Sequence, residues 1–319
     1  MASPLRLKKW AVALVGAAAT CALGLSPVPG GTAGAVTFPP PTTSYYERSA
    51  NVKTLFAQGK LAGKSGAEGI VILDFGRPAS NGLSLGTLSY SGAFIPFTSI
   101  AAGVESYVRG YYLSAPRYTS LDVAMGTNDS CGTGQPCGTA PACGCPDEPS
   151  DFYAWGQQLA WTVLEVGYWS RQLRALGPYT DDVRVVGADD AEPGYDPGYE
   201  NTYDVLAGYA SVVRGTFPAM VDYGSADAYF WDEAQLLQVA YGFPPDVPMP
   251  QIYYSWQAQQ WGALLNYARA HRGVSMRIFG VLTTGAGTND PTTAYADMLG
   301  ALAEVTTQAR IPWLSTIHR

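Results

Sequence analysis

Between Val183 and Pro193 the chain runs Val-Arg-Val-Val-Gly-Ala-Asp-Asp-Ala-Glu-Pro, so Asp189, Asp190 and Glu192 fall within four positions. Carboxylates this close repel one another, and the repulsion is relieved by a proton, a cation or a ligand. The valines before them favour an extended backbone, and Pro193 with Gly194 ends any regular element. On a strand, Asp190 and Glu192 share parity and leave the backbone on one side. A proton donor beside a second carboxylate is the arrangement that glycoside hydrolysis uses. The same acids have other uses: they can cap the helix expected near Tyr203, stay solvated, or hold calcium together with Asp196.

Other residues of suitable chemistry recur where extended segments end. Asp74 closes Gly69-Ile70-Val71-Ile72-Leu73-Asp74, and Asp222 lies in Ala219-Met220-Val221-Asp222-Tyr223. Both are candidates for base, nucleophile or substrate orientation, as is Tyr254. Asp189, Gln251, Tyr195, Tyr223, Tyr254 and Trp256 are candidate substrate contacts. Aromatic rings pair an apolar face with a polar edge, which suits stacking on a pyranose.

Gly82-Leu83-Ser84-Leu85-Gly86 matches the G-x-S-x-G pattern of serine esterases, but it follows the turn signal Asn81-Gly82 and leads into a β-like stretch. A nucleophile elbow needs a strand before the serine and a helix after it. The only histidines are His271 and His318, too few and too poorly placed for a triad or a His-rich zinc site. Cys131, Cys137, Cys143 and Cys145 crowd one loop. Two disulfides are expected there. A four-thiolate zinc site is the competitor, but its usual C-x₂₋₄-C pairs are not matched.

These groups need a frame, and the pattern of elements supplies one. Strands are expected at 69–74, 120–125, 183–188, 219–223, 249–254 and 276–283, with a possible closing strand at 311–317. Helices are expected at 99–111, 151–176, 203–214, 232–241, 257–272 and 292–309. In the 151–176 segment Trp155, Leu159, Val163, Val166, Trp169 and Leu173 recur every three or four residues. Strands alternating with such helices imply right-handed βαβ units and a parallel sheet. The expected fold is α/β, a (β/α)8-type TIM barrel with an irregular or missing strand. An open doubly wound sheet is the alternative. In a barrel, the segments after the strands share the catalytic face, and the cysteine-rich loop at 130–149 would overhang it.

The N-terminus reads as a leader. Arg6, Lys8 and Lys9 precede an apolar run from Trp10 to Leu25, and Ala33-Gly34-Ala35 offers a small-residue cleavage site. A signal peptide over residues 1–35, a tether over 36–66 around Pro39-Pro40-Pro41, and a barrel over 67–319 make up the expected organisation. The chain holds 26 acidic residues against 19 Lys plus Arg. Three of those bases belong to the leader, so the remainder carries 26 against 16. This balance disfavours nucleic acid, whose binding relies on basic residues displacing counterions. No later segment is long and apolar enough to span a bilayer. A secreted monomer without cofactor, acting on a carbohydrate or cell-wall glycan, is the expectation.

The Asp190-x-Glu192 pair resembles the D-x-E strand ending of the chitinase-like and lysozyme-like barrels of the glycoside hydrolase superfamily. The resemblance implies Glu192 as general acid and Asp190 as its helper. Ala188 stands where the chitinase-like pattern has a further aspartate. Met220-Val221-Asp222-Tyr223 is loosely similar to that group's M-x-Y-D strand. At fold level residues 67–319 are also similar to secreted bacterial barrel proteins of unassigned activity. A non-catalytic carbohydrate-binding or surface protein on the same scaffold is therefore the alternative function.

Overall fold

The computed structural model describes residues 37–116, 118–128, 149–177, 179, 182–193, 198–214, 217–285 and 287–318. The segment expected to be a leader and all four loop cysteines lie outside the described residues. In chain order the elements are β1 (Thr42–Tyr46), α1 (Val52–Ser65), β2 (Gly69–Asp74), β3 (Arg77–Ser80), β4 (Leu85–Leu88), β5 (Phe94–Pro96) and α2 (Phe97–Tyr112). There follow β6 (Ser120–Asn128), α3 (Phe152–Leu176), β7 (Asp182–Asp190), α4 (Tyr199–Val213), β8 (Met220–Asp222), α5 (Glu233–Tyr241) and β9 (Asp246–Pro248). The chain finishes with α6 (Ser255–Arg272), β10 (Gly280–Thr283), α7 (Pro291–Val305) and β11 (Trp313–His318).

Eight strands form one parallel sheet in the order β10-β11-β1-β2-β6-β7-β8-β9. The seam between β9 and β10 is bridged through Gln251 and Leu282. Ile252 N–H donates to the Leu282 carbonyl at 2.8 Å, and Leu282 N–H to the Pro250 carbonyl at 2.8 Å. The result is a nearly closed (β/α)8 barrel with seven surrounding helices among the described residues, the α/β architecture expected from the pattern.

Two expectations need correction. Residues 36–66 are not simply a tether, because β1 lies between β11 and β2 in the wall and α1 packs outside it. β1 is the strand missing from the sequence count. Its inward residues Thr42 and Ser44 are polar and bond to Ser315, at 2.9 Å and 2.7 Å, so no apolar alternation announces it. The second correction concerns the strand expected at 249–254. The regular pairing sits earlier, at Asp246–Pro248, and Met249 to Tyr254 is mostly irregular. Proline has no N–H to give a ladder, and Pro248 and Pro250 alternate through this stretch.

Two apolar layers follow from strand alternation. Ile70, Ile72, Ala124, Val186, Ala188, Val221, Tyr223, Met249, Leu282 and Ile317 fill the barrel interior. Val71, Leu73, Val123, Val183 and Val185 face the helices instead. Helix α1 lies hard against α2, since a Cβ on Gly59 would stand 2.0 Å from the carbonyl oxygen of Tyr107. At the N-terminal end of the barrel, Arg184 donates through Nε and one Nη to both oxygens of Asp122, at 2.6 Å and 2.7 Å. The antiparallel β3-β4-β5 insertion follows β2 and is tied to α3 by Trp155 Nε1, which donates to the Gly86 carbonyl at 2.7 Å.

Candidate functional site

The strand periodicity that buries Ile70 and Ile72 carries Asp74 to the C-terminal mouth, and Val186 and Ala188 do the same for Asp190. β6 places Asn128 beside Asp190 in the parallel register. Asp74 is fully buried and Asp190 only 5% exposed. Their surroundings are phenols and amides. Tyr90 and Tyr223 donate to Oδ2 of Asp74 at 2.7 Å and 2.8 Å, and Gly76 N–H donates to Oδ1 at 2.8 Å. The Tyr223 hydroxyl also lies 2.8 Å from the Thr127 carbonyl. Gln251 Nε2 donates to Asp190, and Asn128 Nδ2 to the Tyr90 hydroxyl. Tyr46 closes the ring, its edge against Tyr90 with centroids 4.7 Å apart and its hydroxyl 3.5 Å from that of Tyr253.

Burial decides the electrostatics. Loss of water pushes the Asp74 carboxyl up to about 6, although its three donors pull the other way. Asp190 is raised well above the usual carboxylate range, first by burial and then by the charge of Glu192, with Asp74, Asp189 and Asp222 adding to it. Glu192 is half-buried and stands just beyond the strand end, so it is the more accessible of the two. Tyr46, Tyr90 and Tyr223 are also raised well above their ordinary range, chiefly by burial and then by these carboxylates. The phenols are therefore neutral donors rather than nucleophiles. Behind the wall, Glu47 donates its backbone N–H to the Asp74 carbonyl at 2.6 Å, and burial lifts its carboxyl to about 7.

The mouth thus gathers Asp74, Asp190, Tyr223 and Gln251, with Glu192 beside Asp190. No family model matches the chain, and no curated protein matches it significantly. Asp189 and Asp222 take the opposite parity from Asp190 and Tyr223 and face the helical layer. Asp189 accepts from the Thr127 hydroxyl at 3.4 Å, and Asp222 from Gly224 N–H at 3.0 Å. They act on Asp190 by charge rather than from its own side of the sheet. Tyr254 and Trp256 are about half exposed where the chain enters α6, and Tyr195 lies outside the described residues.

Sequence reasoning missed Tyr46 and Tyr90. The first sits in the segment taken for a tether. The second lies in the β4–β5 turn Ser89-Tyr90-Ser91-Gly92, a turn signal whose only hint of function is its one aromatic residue. The G-x-S-x-G segment proves to be the β3–β4 turn, where Asn81 Oδ1 accepts from Leu83 N–H at 3.0 Å and Ser84 N–H at 2.8 Å. Ser84 is thus no nucleophile elbow. Among the described residues no group of three His, Cys, Asp or Glu side chains is placed to hold a metal ion. The same residues contain no helix long and apolar enough to cross a membrane. An open cavity of about 520 Å³ between α3 and α4, lined by Gln157, Trp161, Ser211 and Arg214, has no carboxylate and lies apart from this chemistry.

Proposed function

We propose that this protein is a secreted hydrolase that cleaves a glycosidic bond at the C-terminal mouth of its barrel. Glu192 delivers the proton to the leaving oxygen, and Asp190 holds its charge state. The observation that carries the reading is the pairing of Asp190 with Glu192, since after burial the Glu192 charge acts most strongly on Asp190. Two carboxyls in one site cannot both ionise freely, so the pair shares one proton near neutral pH, and Glu192, the more accessible of the two, is the one positioned to deliver it. The tyrosines and amides around Asp74 and Asp190 support it further, because they fix the acids without neutralising them. The basic and apolar leader supports export, and the clustered cysteines fit an oxidising compartment as disulfides.

A second reading, a carbohydrate-binding protein without catalysis, is favoured by the full burial of Asp74 and by Ala188 in place of a third aspartate. Hydrolysis of a panel of cell-wall and storage glycans by wild type and Glu192→Gln separates the two. Glutamine keeps the shape and cannot give a proton, so the rate should fall ~10²–10⁴-fold while binding persists. Equal hydrolysis by both proteins removes Glu192 from the mechanism. Binding with no hydrolysis by either favours the second reading. Melting curves with and without chelator test calcium at the same acids, because an ion bound only to the folded state would raise the melting temperature.

A further inference from the structure

The charged groups at this mouth are acids. Asp190 and Glu192 share one proton and offer their remaining carboxyl oxygens, while the hydroxyls of Tyr90 and Tyr223 are already directed at Asp74. Gln251 gives its N–H to Asp190, and its Oε1, on a side chain only 1% exposed, has no hydrogen-bond partner among the described residues. A buried amide oxygen without a donor is unfavourable, and a ligand N–H would satisfy it.

Charge points the same way. Among the described residues of the connections that leave the strand ends towards the helices, the bases are Arg48 and Arg77, against Glu47, Asp151, Glu192, Asp227, Asp232 and Asp290. Three of those acids, Asp151, Asp232 and Asp290, cap helices. Their charge still belongs to this end of the barrel. Lys64, Arg109, Arg174, Arg269 and Arg272 sit in the last turns of their helices, at the opposite end. A cleft lined by one sign of charge focuses the field on ligands of the other sign.

The third observation is aromatic. Tyr254 and Trp256 follow Gln251 by three and five residues, lie parallel within 8° with centroids 6.2 Å apart, and are 48% and 51% exposed. Such faces suit the C–H surface of a sugar and are also attractive to a cation.

Resting on the carbohydrate reading above, we propose that the mouth selects a glycan bearing protonated amino groups. One ammonium sits between Asp190 and Gln251 Oε1, and a neighbouring sugar lies on Tyr254 and Trp256. An ammonium supplies only donors, and a positive charge opposite to the acidic excess at this end of the barrel.

The test is calorimetric titration of the full chain with oligosaccharides of one linkage: glucosamine, N-acetylglucosamine, glucose and a uronate, each at low and high salt. Glucosamine oligomers should bind about 10-fold or more tightly than their acetylated and neutral counterparts, as a charged hydrogen bond implies. High salt should shrink that preference, and the uronate should bind weakest. Gln251→Leu should remove most of the preference, and Trp256→Ala should weaken long oligomers more than short ones. Equal affinity for acetylated, neutral and amine oligomers in wild type at low salt overturns the inference, whatever the variants do. Hydrolysis recorded in parallel keeps the two claims apart. Amine-selective binding without cleavage sustains the inference and refutes the hydrolase. Cleavage without amine preference does the reverse.

Discussion

Replacing Asp74 by asparagine tests whether burial governs this site. The Asp74 carboxyl titrates at about 6 in the fold against an ordinary 3.8, because it has no water and only neutral donors. A gap of roughly two units is worth about 3 kcal/mol at 1.36 kcal/mol per unit. The folded chain holds the proton more tightly than the unfolded chain does. This group therefore favours folding most below pH 3.8, loses that advantage as the pH climbs through about 6, and is a net burden above it. Asparagine keeps an acceptor for Gly76 N–H, and its amide hydrogens can donate to the Tyr90 and Tyr223 oxygens once those hydroxyls turn. It has no charge to desolvate. Removing the Asp74 charge also lets Asp190 fall back towards its ordinary range, which adds in the same direction. Relative to wild type, Asp74→Asn should gain about 3 kcal/mol between acid and neutral pH, read from urea unfolding on both sides of that window. A stability difference that stays constant across the window would refute the argument and mean that Asp74 is solvated.

Arg184→Met should destabilise the protein by about 1–3 kcal/mol, since it strands the nearly buried Asp122, and adding Asp122→Asn should recover part of the loss; chemical denaturation of the two variants measures it. Gly59→Ala should cost about 1–3 kcal/mol or more, because the added methyl meets backbone rather than a movable side chain, and thermal melting reads it directly. Trp155→Phe removes the bond to the Gly86 carbonyl and should cost about 1–3 kcal/mol; amide exchange should then rise at β4 before it rises in the barrel strands.

Much of the frame was legible because its signals were dense. β2 follows the expected bounds, and α3 starts one residue later than expected, since Gly69 to Leu73 is continuously apolar and the α3 periodicity runs over about five turns. Asp190 was legible for a related reason: parity along one strand assigns its face. What escaped depended on partners distant in sequence. Thr42 and Ser44 point into the barrel because Ser315 meets them there, some 270 residues away. Tyr90 joins Asp74 only after an inserted hairpin folds back. Parity also separates Asp222 from Tyr223, yet a short strand with one valine between its methionine and its aspartate gave little on which to choose the inward face.

The wall of this barrel closes through its first and last strands, β1 and β11, which lie side by side although the rest of the fold separates them in the chain. A polypeptide emerging from the ribosome therefore carries β1 with one bare edge until residues 313–318 have been made. Bare edges invite pairing with other chains. Newly made molecules should depend on a holding chaperone until β11 has been made.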